Sequence, residues 1–279
     1  MLIDTHCHIH EADYPLPVAD VLKRAAQADV GQMILVGTSE KSSEDAIELA
    51  SKHDNLFATV GVHPHDTKDG WDNIAKLAAE GKHASYALQG EGRISEITSE
   101  IQAEGQAPPK VNIIAVGEIG LDYFYNHSPR DVQIAALESQ IQTAIDNDLP
   151  IIFHVREAFD DFWPIFDNFH GIRGELHSFT DTQDNLDKGF ERGLYVGVNG
   201  ISTFTKNEKQ HEMYVNIPLE RMLLETDAPF LTPIPHRGTI NEPAFVSEVA
   251  KFHATIRGIR LDDVAGATSA NAHALFRLA

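Results

Sequence analysis

Strand alternates with helix along most of the chain, and this rhythm restricts the available folds more than any other feature. Short apolar, β-rich runs fall at 2–6 (LIDTH), 32–37 (QMILVG), 56–62 (LFATVGV), 112–118 (NIIAVGE), 150–155 (PIIFHV), 174–179 (GELHSF), 194–199 (LYVGVN) and 221–227 (RMLLETD). Between them lie segments such as VADVLKRAAQA, SEDAIELASKH, DVQIAALESQIQTAIDND and PAFVSEVAKFHATI, whose apolar residues recur at helical spacing. Most strand runs are continuously apolar, as strands covered on both faces are. The pattern predicts a parallel sheet wrapped in helices. About eight strands is the number that closes into a (β/α)8 TIM barrel, with an open doubly wound sheet as the competing α/β arrangement.

The 279 residues are read as one domain, 1–279, because single-domain barrels run to about 250 residues. One stretch breaks the rhythm. The segment 83–112 is polar, carries Gly and Pro, is too long for an ordinary connection, and is read as an excursion with room for a short helix, ISEITSEI. Cys7 is the single cysteine, which excludes an internal disulfide and suits a reducing compartment. No leader-like N-terminal pattern occurs and no apolar run approaches the ~18 residues of a membrane span, so a cytoplasmic protein without membrane contact is expected. No feature calls for an obligate protein partner.

A net charge of −20 with no Lys/Arg cluster excludes tight, sequence-independent coating of duplex DNA. It leaves room for a small polyanion held through divalent ions, which reverse the local field of an acidic protein.

The polar residues fall where a barrel would gather them. His6 and His8 follow the first strand, His63 and His65 (GVHPHD) the third, and Glu118, His154, His177 and Asp227 end the fourth, fifth, sixth and eighth. In a barrel these strand ends meet on one rim, where active sites form. Imidazole nitrogen and carboxylate oxygen without thiolate suit a catalytic ion such as zinc, manganese, iron or nickel more than a structural zinc knot. Four histidines and two carboxylates exceed what one tetrahedral ion needs, so two ions sharing Glu118 are expected. Cys7, between His6 and His8, should face away from them. His10, His53, His83, His127, His170, His211, His253 and His273 are read as surface or packing residues.

The ordered set DTHCH, GVHPHD, GEIGLDY, FHVREAFDDF, LHSFT, LLETDAPFLTP and RGTINEPAFV resembles the TatD family of metal-dependent hydrolases, within the amidohydrolase-like barrels, from residue 3 onward. The resemblance implies a binuclear centre of two divalent ions, drawn from Zn, Mg, Mn, Ni or Fe. His6, His8 and Asp227 would hold one, His154 and His177 the other, and Glu118 would bridge them. It also implies deoxyribonuclease or related phosphodiesterase activity, of the 3′–5′ exonuclease type, on DNA or a small phosphodiester. Hydrolysis would use a two-metal-activated hydroxide, with Asp227 orienting it or moving its proton.

His63, His65, Arg156 and Arg237 are the expected substrate-binding residues. For Arg156 the competing expectation is an ion pair with Asp122 or Glu157. The loop TPIPHRGTINEPAFV leads into the expected last helix, whose N-terminus is suited to phosphate. Thr239 and Ile240 stand where the family usually has a basic pair, which removes two positive charges from the substrate side. An amide or lactone hydrolase on the same barrel is the alternative, disfavoured because those enzymes often bridge their ions with a carboxylated lysine where this chain has Glu118. A non-catalytic binding barrel would have lost ligands, and all six are present.

Overall fold

The computed structural model describes residues 1–80 and 113–278. The excursion 83–112, and with it the short helix expected over ISEITSEI, lies outside the described residues. Eight strands run in chain order: β1 (Leu2–Cys7), β2 (Val30–Leu35), β3 (Leu56–Val60), β4 (Ile113–Asp122), β5 (Ile151–Arg156), β6 (Gly174–Leu176), β7 (Tyr195–Val198) and β8 (Met222–Leu224). They form one sheet in the order β1 to β8, each paired parallel with the next.

The sheet curls until its ends meet. Beyond β8, the Asp227 N–H donates to the His6 carbonyl and the His8 N–H donates to the Ala228 carbonyl, both at 2.8 Å. A parallel bridge joins Cys7 to Ala228 at the same place. This seam rules out the open sheet and makes the fold a (β/α)8 barrel. Thr226 fastens it from below, its N–H and hydroxyl meeting the Asp4 carboxyl at 2.9 and 2.7 Å. Burial pushes the Asp4 carboxyl up to about 8.

Helix ends are set by local chemistry. Ser39 and Thr182 accept N–H bonds from Ser42 and Asn185 to cap Glu40–Ala50 and Gln183–Glu191, and Gly258, in the left-handed region, ends Val246–Arg257. That helix is followed by another, Leu261–Phe276, so PAFVSEVAKFHATI does not form the last one. Among the described residues no helix is long and apolar enough to cross a membrane.

Two buried clusters make up the core. The larger lies between strands and helices and includes Leu35, Val60, Leu137, Phe153, Phe162 and Tyr214. The smaller joins Ile3, Ile34, Phe57, Ala115, Ile152 and Leu223, from strands all round the barrel, to Leu275 and Phe276 of the final helix. Side chains from so many strands meet only along the barrel axis, so this cluster fills the interior and the final helix covers one end. Cys7 is fully buried in the larger cluster, on the helix side, as its position between two inward histidines predicts.

The strand ends differ from expectation in one instructive place. Glu118 does not end β4. The strand continues through Ile119–Asp122, paired with Phe153–Arg156 of β5, with an irregularity between Val116 and Ile119. A bulge of this kind redirects a side chain, and here it falls beside Glu118. Gly120 makes the close pairing possible, because a Cβ there would sit 1.8 Å from the His154 carbonyl oxygen. β6 and β8 are shorter than expected, and His177 and Asp227 lie just beyond their ends.

Candidate metal centre

The rim gathers the sequence-predicted residues into one pocket wall. His6 Nε2 lies 3.1 Å from His8 Nε2, 3.3 Å from Glu118 Oε2 and 3.7 Å from Asp227 Oδ1. His8 Nε2 is 3.3 Å from the same Asp227 oxygen, and His177 Nε2 is 3.9 Å from it. The other Glu118 oxygen, Oε1, faces His154 Nδ1 at 2.8 Å, His63 Nε2 at 3.6 Å and His177 Nε2 at 3.7 Å. Glu118 thus turns one oxygen toward each of two imidazole groups. His6, His8, Glu118 and His177 are buried. Ser178 and Asp227 take the left-handed backbone region (φ 48° and 59°), which non-glycine residues adopt at a cost of about 1–2 kcal/mol.

The outer hydrogen bonds fix which nitrogen faces inward. His8 Nδ1 donates to the Val36 carbonyl at 2.8 Å, so its Nε2 presents a lone pair. His177 Nδ1 donates to Glu225 Oε2 at 3.0 Å. Glu225 Oε1 is held by the Ser178 N–H at 2.9 Å and Asn199 Nδ2 at 3.1 Å. A carboxylate behind a histidine, itself held by two further donors, is the support metal-binding imidazoles commonly have. His154 reaches Glu118 through Nδ1 and Asp122 Oδ2 through Nε2 at 3.0 Å.

Charge in this cluster is tightly linked. Burial opposes protonation of His177, but Glu225 and Glu118 outweigh it and push the imidazole up to about 10. His6, stacked on His177 at 3.6 Å, is pushed down by burial and by that neighbouring charge. Burial alone would raise Glu118, yet His177, His63 and His6 hold it well below the ordinary carboxylate range.

These residues fit a cation. Several imidazole nitrogens and two carboxylates converge in a buried space, and such a set is satisfied by positive charge, held as protons on the imidazoles or as a metal ion that displaces them. His6, His8 and Glu118 bring one donor atom each within 4.8 Å of one another, and so do His63, Glu118 and His154. His6, His177 and Glu225 form a further such group, as do His8, His10 and Glu11.

Not every predicted residue joins the cluster. His65, half-buried, bonds Asp122 Oδ2 through Nε2 at 3.0 Å. Arg156 pairs with neither Asp122 nor Glu157; its guanidinium lies over Phe124 and Tyr125, 4.1 and 4.8 Å from the ring centroids. Arg237 donates to the Thr232 carbonyl at 2.7 Å and covers the Phe204 ring. Asp122, Glu225 and Asn199 went unassigned in the sequence. Glu225 was visible there as a carboxylate near the end of the predicted eighth strand, Asp122 lay four residues past the predicted end of the fourth, and nothing marked Asn199.

A parallel barrel whose rim presents buried histidines around two carboxylates defines a metal-dependent hydrolase. The chain belongs to the TatD related DNase family, whose model matches residues 3–277. It is 31% identical to "Uncharacterized metal-dependent hydrolase YabD" of Bacillus subtilis (strain 168), with all of both chains covered (100% each). It is also 31% identical to "3'-5' ssDNA/RNA exonuclease TatD" of Erwinia amylovora, covering 92% of this chain and 93% of that one. The crystal structure of a TatD homologue, YJJV, from Escherichia coli K12 superimposes with a TM-score of 0.82 at 26% identity, covering 100% of this chain and 98% of that chain.

Proposed function

We propose that this enzyme is a divalent-metal-dependent phosphodiesterase that removes nucleotides from the 3′ end of single-stranded nucleic acid. The observation that carries the reading is Glu118, whose two oxygens address two separate imidazole groups. A single residue so placed suits two ions better than one. His6, His8 and Asp227 would hold the first ion and His154 and His177 the second, with Glu118 between them. When bound, the ions supply charge neutralisation for the phosphate and acidify a water.

The chain's own residues supply the rest. Glu225 and Val36 orient His177 and His8 so that lone pairs face inward. Asp227 is the proposed proton acceptor for the attacking water, being the partly exposed carboxylate of the pair. His63, which faces Glu118, and His65, which lies beside the cluster on Asp122, are proposed to contact phosphate oxygens. Relatives of the exonuclease name support the substrate class and polarity, and Glu118 in place of a lysine supports phosphoester over amide chemistry.

A metal-reconstituted panel tests this: 3′- and 5′-labelled single-stranded DNA, abasic duplex, an RNA dinucleotide, a generic phosphodiester and a cyclic amide. Stepwise shortening from the 3′ end is expected, and Glu118→Ala should lose at least about a hundredfold in rate. Hydrolysis of the cyclic amide with no phosphodiester cleaved under any metal would overturn the reading.

A further inference from the structure

Beside the metal centre, where β4 and β5 leave the barrel, a cluster of flat side chains stands in solvent. Phe124 and Tyr125 are 50% and 51% exposed, unusual for aromatic residues that the fold could have buried. The Arg156 guanidinium lies over both rings, at 4.1 and 4.8 Å. His127 stacks on Tyr125 with centroids 5.6 Å apart and ring planes 6° from parallel, and His65 meets Tyr125 edge-on at 5.4 Å. Among the described residues Arg156 makes no ion pair, so its orientation comes from the rings.

This surface is built into the rim by one carboxylate. Asp122 Oδ1 accepts the N–H groups of Phe124 and Tyr125 at 3.0 and 2.9 Å, while Oδ2 bonds His65 and His154, each at 3.0 Å. His154 in turn reaches Glu118. The same side chain therefore sets the aromatic surface and one wall of the metal centre in fixed relation.

We propose that Phe124 and Tyr125, with ring planes 90° apart and Arg156 over both, form a stacking platform in which one aromatic or guanidinium face receives an unpaired nucleobase of the strand whose phosphate occupies the metal centre; this rests on the phosphodiesterase reading above. Aromatic faces and guanidinium planes stack on any base, without regard to sequence. With a net charge of −20 and no Lys/Arg cluster in the sequence, stacking is a contribution that does not depend on a basic groove. Bases locked in a duplex cannot lie flat on the platform, so the platform selects single strands and frayed ends.

The test uses the metal-loaded enzyme and a phosphorothioate oligonucleotide carrying 2-aminopurine near its 3′ end, whose fluorescence falls on stacking. Wild type should quench it, and Phe124→Ala and Arg156→Ala should weaken that binding by about tenfold or more with melting temperature unchanged. In cleavage assays the same variants should lose kcat/KM on ordinary oligonucleotides. They should match wild type on one whose terminal nucleotides are abasic. Absence of quenching by wild type, or equal losses on normal and abasic strands, would overturn the platform. Quenching by a wild-type enzyme that hydrolyses no phosphodiester would keep the platform and overturn the phosphodiesterase reading.

Discussion

Replacing Gly120 by alanine is the smallest change that should disable the centre without altering a polar atom. Gly120 pairs with His154 across β4 and β5, and its missing Cβ is the space that the His154 carbonyl occupies. An alanine Cβ would sit 1.8 Å from that oxygen and 2.7 Å from its carbon, whereas ordinary contact begins near 3.4 Å. The strands must part by about 1.6 Å, because repulsion at shorter range is steep. The φ of 155° adds strain for any side chain. His154 hangs 2.8 Å from Glu118 and 3.0 Å from Asp122, so a displacement of that size takes it beyond hydrogen-bond range of one or both.

Overpacking of this kind costs about 1–3 kcal/mol, a fall of about 2–5 °C in melting temperature for a chain of this size. Misplacement of a working group by about 1 Å costs about a hundredfold in rate. Thermal unfolding and kcat/KM on a single-stranded oligonucleotide, measured on the same preparation, should show both. Gly266 provides the control: it sits in the helix Leu261–Phe276 with open space where a Cβ would go, and alanine there should raise stability by about 0.5–1 kcal/mol without changing rate. A folded Gly120→Ala enzyme with wild-type kcat/KM would refute the claim that β4–β5 spacing positions His154.

Two further outcomes are expected. Glu225→Gln offers one acceptor oxygen where Glu225 now takes bonds from His177, Ser178 and Asn199; metal affinity, measured against a chromophoric chelator, should fall about 10–100-fold, and unchanged affinity would remove Glu225 from the centre's support. His253, whose ring meets the Ser202 hydroxyl, is held down to about 3 by burial and then by Arg257. Its neutral ring therefore contributes stability that is fully present above about pH 6.5 and lost at about 1.4 kcal/mol per pH unit as the pH drops below that. In urea unfolding the stability of wild type relative to His253→Gln should fall with that slope from pH 6 to pH 4, and parallel curves would contradict it.

The barrel was legible because strands buried on both faces read as continuous apolar runs, and the helices between them keep their period. The candidate ligands were legible because histidine and carboxylate at the ends of such runs break an otherwise apolar pattern. Harder to read was where β4 stops, since Glu118 resembles a terminator while Ile119–Asp122 goes on pairing with β5. That continuation depends on Gly120, whose role comes from a neighbour 34 residues later in the chain. Glu225 escaped notice for a similar reason: only the finished barrel brings it to His177. Arg156 could be read as cationic from sequence, but its setting over two exposed rings needed the turn that Asp122 shapes.

The seam joining Asp227 to His6 has a consequence for when the enzyme exists as such. Thr226 and Asp4 bond across 222 positions, so the first-made and nearly last-made segments of the barrel meet at the candidate centre itself. During synthesis five of the six candidate ligands are present by residue 177, and the set is completed only when Asp227 arrives beyond the eighth strand. The same geometry runs in reverse: parting of this one edge separates His6 and His8 from Asp227 while the other strand pairs stay intact. Loss of activity on warming should then precede loss of the barrel, and a bound cation would act as the pin of the closure.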